Sequence, residues 1–477
     1  MPLPLPPVSA AAATAQTRPW VKEALVAGAI AAVYALYLFT SEYHNLYYDA
    51  ELYWELGHRF YQAGHFNLLA YDDSLRGYSY PLLNFACLAV RKGLHLEAVT
   101  VVKALNACLA GLFFGVVVPR LWQASTGAVS LPSVPRRLLW TALGFVFWRD
   151  YFNFSLSDFP ALLALGWALW QAQRRSASAA FAAGLALALA VNVRPIYLAA
   201  VPPALLLLLL LGWPRRAWVP RLAVFALGAG LVLAPQWLIN RRHFGANTPL
   251  VLSESKELDI HNLYLKQLKW GLLYRKYESS VGRELPTGQL IFLDVEGAAV
   301  VQAEQIARFE SIGQYLRTLA RHPVVLVRGY AWHLFGGLDI SHPRPYLRRW
   351  EPSVWLPWLN YSLWFWAGLV ALGCWPSARQ WVVLAAVLLP CLVVLPLSME
   401  VRFLLPLHLL LLALVAFGSV PAWLRQGRRW PLVAVAYGVF VLGCFALSAS
   451  VKQTVEPRFR PYLFPAHANI SSGAPKA

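Results

Sequence analysis

Long apolar runs constrain the fold of this chain more than any other feature of its sequence. An α-helix needs roughly 20 apolar residues to cross about 30 Å of hydrocarbon. About eleven segments satisfy or approach this requirement: 24–40, 98–118, 137–148, 156–171, 178–193, 195–213, 222–239, 354–374, 380–397, 403–420 and 431–449. Of the 477 residues, 58% are hydrophobic and only 13% are charged, as in polytopic membrane proteins. The sequence therefore predicts an all-α integral membrane protein with about eleven transmembrane helices.

The placement of the basic residues predicts the orientation of these helices. The net charge of +18 matters less than its distribution, and in a membrane protein it does not require a nucleic-acid partner. With a cytoplasmic N-terminus, the inward segments hold 14 Lys and Arg residues and a single acid, Glu23, which is the bias of the positive-inside rule. The leader lacks a basic stretch near its start, so we expect a retained first helix rather than a cleaved signal peptide.

This topology divides the chain into five predicted parts. They are a cytoplasmic leader at 1–23, an N-terminal transmembrane catalytic module at 24–239 with an outward loop at 41–97, an extracytoplasmic insertion at 240–353, a C-terminal transmembrane module at 354–449 and an extracytoplasmic tail at 450–477. The outward segments hold most of the unusual polar residues, so we expect the functional site on that side of the membrane.

Local patterns predict helices outside the membrane spans. In the outward loop, Leu52, Leu56 and Phe60 recur at helical spacing opposite polar residues, which predicts an interfacial helix. The apolar run at 80–90 is too short to span and predicts a second helix, either on the membrane surface or re-entrant. The insertion mixes charged and aromatic residues, and we expect it to be folded, with a helix at 303–323.

Two carboxylates, Asp49 and Glu51, stand just beyond the first apolar run. A carboxylate at the outer membrane surface can serve as a general base toward a lipid-borne substrate, and partial desolvation there would raise its pKa toward working pH. We choose Asp49 as the base, although its position also suits an N-cap. Glu51 could orient an acceptor, hold Mg²⁺ or Mn²⁺ together with Asp49, or be a solvated acid.

Basic residues on the same side could bind a phosphate. Lys103 lies inside the second apolar run, where a lysine is costly and often functional, or else snorkels to the surface. Arg194 and Arg402 stand at the outer ends of two other runs, where a guanidinium can grip phosphate through two hydrogen bonds. Arg76 could serve the same anion or hold its loop against neighbouring aspartates.

Two further acids could support these cations or have purely structural roles. Asp158 opens an apolar run, where it is either an N-cap or a carboxylate that supports the site from behind. Glu400 can pair with Arg402, which would make that motif structural. No other metal site is indicated, because the five cysteines lack CxxC spacing and the histidines of the insertion form no helical i, i+4 pair.

In their order along the chain, these motifs resemble the GT-C glycosyltransferases that use a polyprenyl-phosphate sugar. The resemblance begins with the acidic pair, "RGYSYPLL" at 76–83 and the basic residue early in the second run. It continues through "SDFPALLALGWAL" at 157–169, the apolar segment at 183–208, "LAPQWLINRRHFGANTP" at 233–249 and "SMEVRFLLPLHLLLL" at 398–412. Protein O-mannosyltransferases and lipid A aminoarabinose transferases are similar members. Many relatives carry adjacent Asp-Glu, whereas Ala50 separates the acids here.

The resemblance implies a GT-C type helical bundle and an inverting glycosyltransferase. Its donor would be a polyprenyl-phosphate sugar and its acceptor an extracytoplasmic glycolipid, polysaccharide or protein. The composition, rich in Ala, Leu and Arg and poor in Met and Lys, favours a bacterial gene and therefore the inner membrane. Two other classes stay open: a transporter or flippase of lipid-linked saccharides, and a surface-polysaccharide polymerase or ligase with a lipid pyrophosphate donor.

Overall fold

The computed structural model describes residues 19–209, 218–281, 285, 288–351, 353–373, 376–421, 424 and 429–463. Some predicted segments extend outside the described residues: most of the leader at 1–23, the last residues of the runs at 195–213 and 354–374, and the end of the tail at 450–477. The described residues are mostly helical. This confirms the predominantly α-helical class predicted from the sequence.

The described helices are, in chain order, α1 (Pro19–Thr40), α2 (Asp49–His58), α3 (Ser79–Leu94), α4 (Ala98–Leu112), α5 (Val118–Thr126), α6 (Val134–Trp148), α7 (Asp158–Ala172), α8 (Ala177–Val193), α9 (Val201–Leu209), α10 (Trp218–Phe244), α11 (Leu263–Leu273), α12 (Val295–Ala303), α13 (Ile312–Arg321), α14 (Pro323–Leu338), α15 (Trp355–Leu372), α16 (Ala378–Val394), α17 (Leu405–Phe417), α18 (Trp430–Gln453) and α19 (Arg460–Leu463). The strands β1 (Tyr61–Gln62) and β2 (His65–Phe66) form one antiparallel hairpin. The strands β3 (Tyr274–Ser279) and β4 (Gln289–Leu293) form another.

Four helices within the described ranges are long and apolar enough to cross a membrane: Val21–Thr40, Ala98–Thr126, Trp218–Phe244 and Trp430–Gln453. The second of these joins α4 to α5 through a π-helical turn at Phe113–Val117. Each of the four coincides with a predicted apolar run. The other runs also form helix, but several of those helices are shorter, for example α8 and α16. The larger number of spans stays a prediction.

Helix ends that were predicted to share one side of the membrane contact one another. On the side predicted to be cytoplasmic, Arg120 Nε donates to Glu23 Oε2 at 2.9 Å, and Arg136 Nη1 donates to the Phe417 carbonyl at 3.1 Å. On the opposite side, segments predicted to face outward meet around one cavity, which is described below. The predicted topology requires this grouping, because connections on one side of a membrane share one surface.

The helices α2 and α3 confirm the two predicted helices of the outward loop. Leu56 and Phe60 are buried while Glu51 is exposed, as the periodicity predicted. Asp49 is the first residue of α2, and the N-cap position belongs to Tyr48 without a side-chain cap. The alternative role of Asp49 as an N-cap is therefore wrong.

The predicted helix at 303–323 is wrong over its first part. The helix α12 ends at Ala303, and α13 begins only at Ile312. Gln305 turns the chain with a φ of 50°, and Ser311 caps α13 by accepting a hydrogen bond from the Gln314 amide at 3.2 Å. The apolar residues keep an almost helical spacing through the turn that leads to the N-cap Ser311. Periodicity alone therefore did not separate the two helices.

The helices α8 and α10 pack with their backbones in contact. A Cβ at Gly184 would lie 2.0 Å from the carbonyl oxygen of Phe225, and a Cβ at Gly228 would lie 2.1 Å from that of Phe181. Small residues at such crossings let membrane helices approach closely. The contact bears on the site because α8 ends immediately before Arg194.

We expect Gly228→Ala to destabilise the protein, because its methyl group would meet a helix backbone that cannot rotate away; overpacking of this kind costs about 1–3 kcal/mol. Gly230 lies on the same helix with nothing within 4 Å of its Cβ position. Gly230→Ala is therefore the matched control and should be neutral or slightly stabilising. The measurement is the thermal unfolding midpoint in detergent. Equal midpoints for the two variants would contradict the close packing of α8 on α10.

Candidate functional site

A tight turn between α1 and α2 positions Asp49. Tyr48 precedes it with a φ of 45°, a conformation that is strained for a residue with a side chain and that often occurs at functional sites. The Tyr48 hydroxyl donates to the Ser280 carbonyl at 2.7 Å, so the insertion holds the turn in place. As the first residue of α2, Asp49 also lies at the positive end of the helix dipole.

Both carboxylate oxygens of Asp49 accept hydrogen bonds from arginines. Arg76 Nη2 donates to Oδ1 at 3.0 Å, and Arg402 Nη2 donates to Oδ2 at 2.8 Å. Burial by itself would raise the pKa of Asp49, but the positive charges of Arg402 and Arg76 outweigh it and lower the pKa to about 2. The expectation that the pKa of Asp49 is raised toward working pH is therefore wrong, because ion pairing outweighs burial.

Two further carboxylates hold the arginines from behind the cavity wall. Arg402 Nε donates to Glu400 Oε2 at 2.7 Å, and Arg402 Nη1 lies 3.9 Å from Asp158 Oδ2. Arg194 forms an ion pair with the other oxygen of Asp158, a side chain that is only 1% exposed. Asp158 is the first residue of α7 and makes no capping hydrogen bond. Its contacts are those of an ion-pair partner, not of a cap.

The position of Arg76 depends on a close contact between its loop and the end of α8. A Cβ at Gly77 would lie 2.0 Å from the carbonyl oxygen of Asn192, so only glycine fits there. The Asn192 side chain also accepts a hydrogen bond from the Ser79 amide at 3.0 Å. Asp73 accepts from the Arg76 amide at 2.6 Å. The loop is thus held through its backbone, which leaves the Arg76 guanidinium to reach Asp49.

Asp49, Arg76 and Arg402 line a cavity of about 930 Å³. The charged part of its described wall consists of one carboxylate and four guanidinium groups: Asp49, Arg76, Arg194, Arg402 and Arg458. Asp158 and Glu400 lie behind this wall. An excess of cations around a cavity attracts an anionic ligand, and guanidinium groups suit phosphate or carboxylate in particular.

The rest of the wall has two different characters. An apolar sector comes from the end of α8 and the segment that follows it, and from the end of α16 and the residues just after it: Val193, Ile196, Leu198, Ala199, Val393, Val394 and Leu397. Leu198 is 47% exposed, so this sector reaches the outer surface of the protein. A polar sector holds aromatic and neutral polar side chains: Tyr48, Tyr277, Tyr346, Gln267, Ser279 and Gln289. The cavity therefore suits a ligand with an anionic group beside an apolar portion and a hydroxyl-rich portion.

Glu51 does not line the cavity. Its side chain is exposed on α2, whereas Asp49 is bracketed by Arg76 and Arg402. A divalent cation beside Asp49 would face two guanidinium groups, so these residues do not fit the Mg²⁺ or Mn²⁺ considered from the sequence. Within the described residues, no group of three His, Cys, Asp or Glu side chains is placed to hold a metal ion.

Lys103 also lies away from the cavity. It is buried, and its ammonium group donates to the Tyr43 carbonyl at 2.7 Å and to the Ser41 hydroxyl at 3.0 Å. These bonds tie the connection between α1 and α2 to α4. Lys103 therefore holds the chain segment that leads to Asp49 and does not line the cavity, and it does not snorkel to the surface.

Several aromatic residues of the wall were not predicted from the sequence. The ring of Tyr53 lies against Arg76, with 5.5 Å between the guanidinium carbon and the ring centroid. The Tyr346 hydroxyl donates to the Tyr47 carbonyl at 3.1 Å. These residues come from separate parts of the chain, and tyrosines at buried positions of a helix or loop usually belong to a core. For Tyr346 the aromatic content of the insertion was a signal, whereas Tyr53 lies on α2 and no sequence feature singled it out.

The low pKa of Asp49 predicts a pH-dependent contribution to stability. Because the folded-state pKa lies below that of an unfolded chain, the contribution is present above about pH 4 and is lost as the pH falls toward 2. The gap in unfolding free energy between the wild type and Asp49→Asn should narrow by about 1 kcal/mol between about pH 6 and about pH 3. Thermal unfolding of both proteins across this range provides the measurement. A constant gap would show that Asp49 is not held as an ionised partner of the arginines.

Comparison with known proteins finds no relative of this chain. No family model, curated protein or solved structure matches the chain. The candidate site is therefore defined by its own geometry: a carboxylate held between arginines, in a cavity whose wall includes both apolar and polar side chains. The resemblance to GT-C enzymes stays a hypothesis that rests on the motifs themselves.

Proposed function

We propose that this protein is a membrane glycosyltransferase that moves a sugar from a polyprenyl-phosphate donor to an extracytoplasmic acceptor. One observation carries the proposal: Asp49 lies among three arginines in a cavity with an apolar sector on its wall. Sugar transfer from a lipid phosphate needs these elements together, namely a base, cations for the leaving phosphate and a surface for the lipid. The proposal includes a GT-C type bundle of about eleven spans in a bacterial inner membrane, with a cytoplasmic N-terminus.

The donor would lie across the boundary between the charged wall and the apolar sector. Arg194 stands at this boundary, because Val193 and Ile196 on either side of it line the apolar sector. The phosphate would bind Arg194, Arg76 and Arg402, and the first isoprene units would cover the apolar wall. Leu198 at the exposed edge offers the lipid chain a way out toward the bilayer. The sugar would then lie against the polar sector.

Asp49 would act as the general base. It takes the proton of the acceptor hydroxyl while the acceptor oxygen forms a bond to the anomeric carbon of the sugar. The bond from that carbon to the phosphate oxygen breaks, and the phosphate leaves with the electron pair. Arg76, Arg194 and Arg402 stabilise its added charge. Direct displacement of this kind inverts the anomeric configuration.

Binding of the donor would itself activate the base. A phosphate competes with Asp49 for Arg76 and Arg402, because both anions use the same guanidinium donors. Once these arginines turn to the phosphate, their lowering effect on the pKa of Asp49 weakens while burial continues to raise it. Arg402 remains tied to Glu400, so it changes partner without leaving the site. The base becomes stronger only when the donor is present.

We expect Asp49→Asn to lower sugar transfer by about 100-fold or more, because it removes the general base. Glu51→Gln is the matched control, since it neutralises an exposed acid on the same helix outside the cavity. The assay incubates purified protein with decaprenyl-monophosphate sugars and candidate acceptors and detects products by mass spectrometry. Full transfer by a folded Asp49→Asn protein would exclude Asp49 as the base. Sugar movement across liposomes without a covalent product would support a transporter instead.

Competition between Asp49 and the donor phosphate for the same arginines gives a second prediction for Asp49→Asn. This variant should lose transfer activity but gain affinity for the lipid phosphate. Asp49→Asn should bind decaprenyl phosphate about 10-fold more tightly than the wild type, a difference of about 1.4 kcal/mol, because it frees two guanidinium groups. Arg194→Gln should bind the same lipid more weakly. Affinities are measured in nanodiscs, with uncharged decaprenol as the reference ligand. Equal or weaker binding by Asp49→Asn would rule out competition between Asp49 and the phosphate.

A further inference from the structure

A fourth arginine of the cavity wall takes no part in the cluster around Asp49. Arg458 lies in the C-terminal tail, and its ion pair is with Glu456, where Nε lies 2.8 Å from Oε1. The three arginines assigned to the donor pair with Asp49 and Asp158 instead. Arg458 is thus a separate cation on the same cavity, and the donor mechanism leaves it without a role.

The tail holds Arg458 in a defined position. The Glu456 amide donates to the Ile291 carbonyl at 2.9 Å, so the tail runs alongside β4 as an additional extended segment. Val455 and Phe459 are buried in the hydrophobic cluster beneath this hairpin, and Phe459 is completely inaccessible to solvent. Arg458 lies between these two anchors. Backbone pairing and buried side chains therefore fix its backbone at the edge of the cavity.

Arg458 belongs to a part of the cavity wall that the proposed donor does not use. Its neighbours on β4, Gln289 and Ile291, line the cavity, and Tyr48 joins this region to Asp49 through its hydrogen bond to the Ser280 carbonyl. The described wall residues of the insertion and the tail include one cation, Arg458, and no carboxylate. With the lipid on the apolar sector and the phosphate on the three arginines, the acceptor approaches from this side.

The guanidinium of Arg458 retains the capacity to bind an anion. Nη2 donates a hydrogen bond to Glu456 Oε2 at 2.8 Å, and Nε lies 2.8 Å from Glu456 Oε1 as an ion-pair contact. A guanidinium has five N–H donors in all. The Arg458 side chain is 48% exposed, and ion pairs at such exposure contribute little stability. An incoming carboxylate or phosphate can therefore bind the remaining donors or replace Glu456.

We propose that Arg458 binds an anionic group on the acceptor, which makes the acceptor an anionic saccharide. The hydroxyl that receives the sugar would lie toward Asp49, and the carboxylate or phosphate of the acceptor would lie toward the tail. This inference rests on the proposed transferase function, because that function assigns the donor to other residues of the cavity wall. It adds the chemical class of the acceptor and a residue that selects for it.

The test compares two ligands that differ in one carboxylate. Full-length protein in nanodiscs loaded with decaprenyl phosphate is titrated with octyl glucoside or octyl glucuronide below their micelle-forming concentrations. The wild type should bind the glucuronide about 10-fold more tightly, as expected for one added charge-assisted hydrogen-bond pair. Arg458→Gln should bring the two affinities close together.

Arg460→Gln is the matched control, because Arg460 is an exposed arginine two residues along the tail that does not line the cavity. This variant should keep the preference of the wild type. The proposal would be overturned if the wild type bound the two glycosides with equal affinity or bound neither of them. It would also be overturned if Arg458→Gln still preferred the glucuronide. Failure of the proposed donor site would be recognised separately. In that case the wild type would bind decaprenyl phosphate and decaprenol with equal affinity before any glycoside is added.

Discussion

The pairing of carboxylates with arginines at the cavity wall is the interaction on which the rest of this site depends. Arg402 contacts Asp49, Asp158 and Glu400 within 4 Å, and each of these acids belongs to a different segment of the chain. An isolated charge in such a partly dry environment would be costly. The segments that carry the acids and arginines therefore have to meet, and the helix ends converge on one cavity as a result.

The charged groups of this network are paired, but some of their hydrogen-bonding atoms have no partner. Among the described side chains, Nε of Arg76 and Oδ2 of Asp158 are buried without a hydrogen-bond partner. Arg402 divides its donors between two carboxylates and lies at a longer distance from a third. A phosphate offers oxygens to the same guanidinium donors that these carboxylates use. In the proposed mechanism, the arginines that hold Asp49 are therefore also the ones that bind the anionic donor.

The periodic features of the sequence predicted the helices well, and the individual polar residues less well. Asp49, Arg76, Arg194 and Arg402 come together as expected, because each follows or precedes an apolar run on the side predicted to face outward. Lys103 sits in a similar position but turns toward the backbone between α1 and α2. Position along a helix predicts the membrane level of a side chain, whereas the direction of that side chain depends on its neighbours.

The sequence by itself determined that this chain forms apolar helices. It also determined which helix ends are expected on the same side of the membrane and where along the chain the acids and arginines are concentrated. These properties follow from local composition and spacing, because hydrocarbon admits only long apolar helices and the charges stay at their ends. Only the tertiary structure decided that Asp49 is an ion-pair partner with a low pKa, that Glu51 lies outside the cavity and that Arg458 reaches it. Each of those outcomes depends on contacts between residues far apart in the chain, and no local pattern records them.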